Sequence, residues 1–244
     1  MQTKNIIISI FILLPSFLFS WRISPGRLIL DSQKGTAFLT LIGGEKDETQ
    51  PISISICSRE IDINGKEKSE KLYDKFYVIP SSLMLKANER KMVRIVWKGP
   101  KNIKDEVSYR LHAQGVPITA PMENFKKKGL RANLCSLIKF SIPIYVRNKS
   151  INLREKLQYI SCESVCENDE KFLLLKLENK GNKHKYIKNI SLNYLEKDKK
   201  KKSINIEKKD IKGSNLVLAK HERIIKVKWP ENLPPTAENI TCEF

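Results

Sequence analysis

Three histidines, His112, His184 and His221, stand far apart in the chain, and neither a G-x-S-x-G nor a P-loop pattern accompanies them. No pair of Asp or Glu falls in a recognisable catalytic frame, so the chain is expected not to be an enzyme, with each histidine a surface or strand residue. Cys57, Cys135, Cys162, Cys166 and Cys242 make an odd set. Cys162, Cys166 and Cys242 could be three zinc ligands, but without a CxxC or HxxxH the expectation is no metal and a disulfide within the second half, its partners open. The run KDKKKK at 197–202 could bind anions and reads as a solvated hairpin tip. Chemistry of another kind is written at 130–144. There Leu130, Ala132, Leu134, Ser136, Ile138, Phe140, Ile142 and Ile144 share one parity. That is about 15 residues, where strands commonly run about 5 or 6. Such a strand can close a sandwich and still offer spare length at its edge.

The elements around it follow the same period. Ala37, Leu39 and Leu41, then Ile52, Ile54 and Ile56, then Val93, Ile95 and Trp97 each alternate with their neighbours, so each run can bury one face of a sheet. With further strands at Leu28–Leu30 and Glu106–Ala113, about six or seven short strands precede residue 114, the count of an immunoglobulin-like sandwich. Residues 117–129 carry two prolines and three consecutive lysines, as an exposed loop would. Asn148 to Ser150 read as a linker. A second β domain then follows, with strands expected at Phe172–Leu177, Ile187–Leu195, Ile204–Ile206, Leu216–Ala219 and Ile224–Trp229. The fold class is all-β.

The chain opens with Lys4 followed by an almost wholly apolar stretch from Ile6 to Phe19, which reads as a secretory signal cleaved after Ser20. The expected division is 1–20 signal, 21–147 first domain and 148–244 second domain. Lys4 is the only charge in the first segment, so the mature chain would keep a formal net charge of +17 out of +18. Export and the absence of zinc-knuckle or aromatic-basic RNA motifs argue against nucleic acid, and an acidic protein or anionic surface suits an exported basic chain better.

The segment VIPSSLMLKANERKMVRIVW (78–97) followed by DEVSYRLHAQGVPI (105–118) resembles the signature region of the PapD-like pilus assembly chaperones. PGRLIL (25–30) is similar to that family's first strand and SLIKFSIPIYVR (136–147) to the long last strand of its first domain. LENKGNKHKYIKNISL (177–192) and LVLAKHERIIKVKW (216–229) resemble the second domain of its archaic branch.

The resemblance implies a boomerang of two immunoglobulin-like sandwiches, in the periplasm, that captures pilus or surface-fibre subunits and delivers them to an outer-membrane usher. It implies no cofactor, nucleotide or small-molecule substrate. The lent residues would be Leu130, Ala132, Leu134, Ser136, Ile138 and Phe140. Arg27 falls where the family's cleft arginine would be, the family's cleft lysine aligns with Pro143, and Lys139 is the nearest lysine for a carboxylate anchor. Glu106 and Arg147 align with an acid and a base that pair between the domains, with no third member of that network evident. Ile79, Pro80 and Arg94 would contact the usher. The competing reading is a secreted two-domain structural or adhesive protein that binds acidic cell-surface material.

Overall fold

A computed structural model describes residues 21–45, 49–72, 74–117, 137–196, 199–235 and 237–244. The first eleven strands are β1 (Arg22–Ser24), β2 (Leu28–Asp31), β3 (Thr36–Ile42), β4 (Gln50–Ser58), β5 (Glu60–Ile61), β6 (Glu67–Lys68), β7 (Phe76–Ile79), β8 (Ser82–Leu85), β9 (Arg90–Trp97), β10 (Val107–Gly115) and β11 (Lys139–Arg147). They form a four-stranded sheet in the order β1-β3-β9-β7, a five-stranded sheet in the order β2-β11-β10-β4-β8, and the small hairpin β5–β6.

Period two decides which side chains meet between these sheets. Leu39 and Leu41 of β3 and Val93, Ile95 and Trp97 of β9 face Ile52, Ile54 and Ile56 of β4, Leu111 and Ala113 of β10, and Ile142 and Ile144 of β11. Fully burying a side chain of this size is worth roughly 1.5–3 kcal/mol, so this alternation is the main reason the two layers close. Phe76, Trp97 and Tyr109 meet at one end of the core with ring centroids 4.9–5.6 Å apart, in the edge-on and tilted arrangements that ring quadrupoles favour.

β11 takes up the later part of the expected strand. It begins at Lys139 and ends at Arg147, and of the anticipated earlier residues Leu130, Ala132, Leu134 and Ser136 lie outside the described residues. The signal read at 1–20, the basic loop from residue 118 and Cys135 lie outside them too.

After β11 the chain turns through Asn148, whose Oδ1 accepts the Ser150 N–H at 3.0 Å. The second group of strands is β12 (Leu157–Glu167), β13 (Glu170–Asn179), β14 (Lys185–Tyr186), β15 (Asn189–Leu195), β16 (Lys201–Glu207), β17 (Ile211–Lys212), β18 (Leu216–Val217), β19 (Glu222–Lys228) and β20 (Glu238–Glu243). Sheets β12-β13-β19-β17 and β16-β15-β20, with the short pair β14-β18, enclose a second core that includes Leu173, Leu175, Ile190, Leu192, Ile225 and Val227. A third, small cluster joins Ile61 to Leu216 and Leu218, one residue from the first group of strands and two from the second.

Candidate functional site

β11 has two neighbours but only one along almost its whole length. β10 pairs with it from Lys139 to Val146, whereas parallel β2 covers its other side only from Ile144 to Arg147. From Lys139 to Pro143 that second side has no partner strand among the described residues. An open row of backbone donors and acceptors is a template for another strand. Ile138 and Phe140, expected to be lent, pack partly against the first domain's own core, and the Phe140 ring meets Trp21 edge-on at 4.6 Å.

The expected pair of anchoring cations does not come together. Arg27 is exposed and lines a cleft of about 500 Å³ with Ile29, Arg147, His184, Lys188 and Phe244. Lys139 lines a different depression, beside Ser53, His112 and Gln114, where burial and then Lys139 and Arg110 hold the His112 imidazole below its ordinary pKa. The reason is distance along the strand. In the parallel register Leu28 stands opposite Ile144, which puts Arg27 level with Pro143. Lys139 is four residues further back, roughly 13 Å at about 3.3 Å per residue. In the Arg27 cleft Lys183 and Lys185 each lie 2.9 Å from Glu155, and Arg27 has no ion-pair partner among the described residues.

Glu106 and Arg147 do meet. Arg147 Nε donates to Glu106 Oε2 at 2.5 Å, and the other carboxylate oxygen accepts from His184 Nδ1 at 2.5 Å and from the His184 backbone N–H at 3.1 Å. His184 is thus the member of the network that the sequence reading lacked. Its ring stacks on Tyr145 at 3.9 Å, the Tyr145 and Tyr186 hydroxyls bond at 2.9 Å, and Arg59 donates to the Tyr145 hydroxyl at 3.1 Å. Burial alone would raise the Glu106 carboxyl. The bond and charge of His184, the Arg147 bond and the His184 backbone N–H outweigh it and hold the group below the ordinary glutamate value. For Tyr145, burial and the bond to Tyr186 push the phenol up to about 12.

A second contact between the domains uses the β5–β6 hairpin. Ile61 packs on Leu216 and Leu218, the Ile224 N–H donates to the Ile63 carbonyl at 2.7 Å, and buried Arg223 donates to the Asp62 and Ser214 carbonyls at 3.2 and 3.3 Å. Gly65, at φ +94°, lies directly against the Arg223 guanidinium, where any Cβ would overlap it. Burial lowers the Arg223 pKa, and its Nε has no hydrogen-bond partner among the described residues.

Ile79 and Arg94 are cross-strand neighbours on the outer face of the four-stranded sheet, and Phe38 flanks Arg94 on its other side. Pro80 follows Ile79 through a cis peptide bond. Phe38 (53% exposed), Tyr77, Ile79 and Met92 (64%) leave an apolar patch open there. Phe38, Tyr77 and Met92 are additions to the sequence reading. Their signal was present: each is a large apolar residue on the parity opposite to the core set of its own strand.

Cys57, Cys162, Cys166 and Cys242 are free thiols, which corrects the expected disulfide. Cys162 and Cys166 share one face of β12 but lie roughly 13 Å apart along it, beyond the Cα separation a disulfide spans. Cys162 and Cys242 belong to the second core, where burial pushes their thiols up to about 11 and about 12. Unreactive packing residues result.

No family model and no curated relative matches the chain. Solved structures do. The Salmonella enterica SafA pilin in complex with the SafB chaperone aligns at a TM-score of 0.57 and 18% identity, over 86% of this chain and 85% of the other. The class 5 fimbriae chaperone CfaA aligns at 0.53 and 16%, over 92% and 99%. The CsuC-CsuE chaperone-tip adhesion subunit pre-assembly complex, from archaic chaperone-usher Csu pili of Acinetobacter baumannii, aligns at 0.52 and 15%, over 84% and 89%. The chain therefore has the fold of the fimbrial chaperones, two immunoglobulin-like β-sandwiches in tandem.

Proposed function

We propose that this protein is a non-enzymatic periplasmic chaperone that captures a pilus or surface-fibre subunit by lending it the edge of β11. The single observation that carries this reading is the open side of β11 from Lys139 to Pro143, next to a cleft that holds the exposed cation Arg27. The fold shared with fimbrial chaperones supports it.

A subunit short of a strand would gain a backbone ladder from that edge and side chains for its groove from the residues preceding it. Three or four large apolar side chains at roughly 1.5–3 kcal/mol each give on the order of 5–12 kcal/mol before the costs of association. Apolar burial then supplies the affinity, and Arg27 orients the client by meeting its C-terminal carboxylate. The outer face carrying Phe38, Tyr77, Ile79, Met92 and Arg94 is the surface offered to an outer-membrane usher, Pro80 at its border.

The test is mass spectrometry of what co-purifies with the tagged chain from the native periplasm in mild salt. A roughly stoichiometric, small, β-rich exported protein is expected. Leu134→Asp, which leaves the core contacts of Ile138 and Phe140 in place, should release it by removing one large apolar insertion. Recovery of the chain alone, or bound only to salt-sensitive envelope material, overturns the reading in favour of an adhesive one.

A further inference from the structure

In the second domain the four-stranded sheet ends on β12 and the three-stranded sheet on β20, and each of these strands has one neighbour among the described residues. Both lie on the same flank of the sandwich, because the Tyr159 hydroxyl of β12 donates to the Ile240 carbonyl of β20 at 2.6 Å. Between them runs a depression of about 560 Å³, bordered by Cys162 and Ser164 of β12, Ile240 and Thr241 of β20, and Leu173 of the core. Backbone groups alternate sides along a strand, so the Ile240 N–H and both groups of Cys242 turn the same way as the Ile240 carbonyl, away from β15. Such an edge has room for one more strand.

The side chains of that strand would alternate as those of β20 do. Ile240 and Cys242 pack on the second core, whereas Thr241 and Glu243 are exposed. Every second side chain of an added strand would therefore point into the gap between the sheets, where apolar groups gain by leaving water. The side chains between them would stand beside Thr241 and Glu243, and there charge decides. The chain has 45 lysines and arginines against 27 acids, yet β12 and β20 contain glutamates and neither lysine nor arginine. Lys171 also borders the depression, but its Nζ lies over the Trp229 ring at 3.5 Å. Glu163 is exposed on β12, and Glu243 is met by the Asn193 amide at a long 3.4 Å. Opposite charges across a strand pair favour pairing, and like charges oppose it.

We propose that the flank between β12 and β20 is a strand-accepting site, and that its occupant is an extended segment of another protein with apolar residues at alternate positions and lysine or arginine between them. The site is separate from β11 and does not rest on the capture of a subunit there. Tyr159 is its latch, since its hydroxyl holds the carbonyl that an incoming backbone N–H must take over.

The experiment adds a synthetic octapeptide of alternating lysine and valine to the full chain and follows hydrogen exchange of residues 238–244 by mass spectrometry, with alternating glutamate and valine as the control. The lysine peptide is expected to protect this stretch and the glutamate peptide to leave it unchanged. Tyr159→Phe, which frees the Ile240 carbonyl, should tighten the lysine peptide by roughly three- to tenfold, the worth of one net hydrogen bond. Glu243→Lys, on the exposed face, should weaken the lysine peptide and keeps the site testable even if the Tyr159 variant folds poorly. No protection by the lysine peptide in the parent or in Tyr159→Phe overturns the site. Equal protection by both peptides overturns the cationic occupant. Strong protection of the stretch in the free chain shows the edge already covered by this chain or a second copy of it, and overturns the proposal as well.

Discussion

Two of the contacts between the domains among the described residues are built on different principles. At the first, each buried charge meets an opposite one: the Glu106 carboxylate, 2% exposed, receives Arg147 and His184, and the tyrosine pair Tyr145–Tyr186 closes over the imidazole. At the second, the buried cation Arg223 hydrogen-bonds only to carbonyl oxygens among the described residues, and apolar packing of Ile61 on Leu216 and Leu218 supplies the adhesion. The difference assigns them separate tasks. Short, directional bonds from three sides of one carboxylate specify an angle, whereas a greasy contact with a flat guanidinium tolerates small shifts. Since Arg147 ends the strand whose stretch from Lys139 to Pro143 has an open side among the described residues, the first contact also fixes where that open edge points.

Removing the acid should break this comparison most strongly. Glu106→Ala leaves Arg147 and His184 facing each other in a buried place, and losing one partner of such a group costs about 3–5 kcal/mol. Urea unfolding should show that loss, and small-angle scattering should show a wider spread of domain angles. The same carboxylate makes a pH prediction. Its folded value lies below its ordinary 4.5, so its contribution is complete above that pH and drains away as the pH falls through the lowered folded value. Glu106→Ala should flatten this acid limb of the stability curve. A limb of unchanged steepness would mean that other carboxylates govern it.

The hairpin contact should respond to shape instead. Gly65 combines a φ of +94° with a guanidinium where a Cβ would go, so Gly65→Ala meets backbone strain and displaces Arg223 together. A loss of roughly 1–3 kcal/mol is expected, independent of pH through the glutamate range. If this loss followed pH as the Glu106 contribution does, the two contacts would be one coupled unit.

Parts of this arrangement were legible in the sequence and parts were not, for physical reasons that differ. Ala37, Leu39 and Leu41, or Val93, Ile95 and Trp97, announce their strand because one face of it is dry, and that period is local. The partners Glu106 and Arg147 became visible only through the resemblance, and no local pattern marks His184 in NKHKY as the third member. Its role exists because a loop 78 residues away in sequence reaches it. Arg27 and Lys139 show a third kind of limit. Parity puts both on one face of the five-stranded sheet, but parity carries no information on distance along the strand, and that distance puts them in different depressions.

The smallest effect belongs to the residue that looks most conspicuous. Arg223 is a buried cation with its pKa lowered by burial and its Nε unpaired, so much of what its bonds to the Asp62 and Ser214 carbonyls contribute is offset by the charge's lost hydration. Arg223→Met keeps the volume over Gly65 and removes the charge. It frees from a donor two carbonyls whose residues are half-buried (Asp62, in the β5–β6 hairpin) and exposed (Ser214, in the loop between β17 and β18). The gains and losses are of similar size, and the net change should fall within about 1 kcal/mol of the parent in urea unfolding. A loss as large as that of Glu106→Ala would show that both contacts depend on a compensated charge, and the contrast between a directional joint and a forgiving one would have to be abandoned.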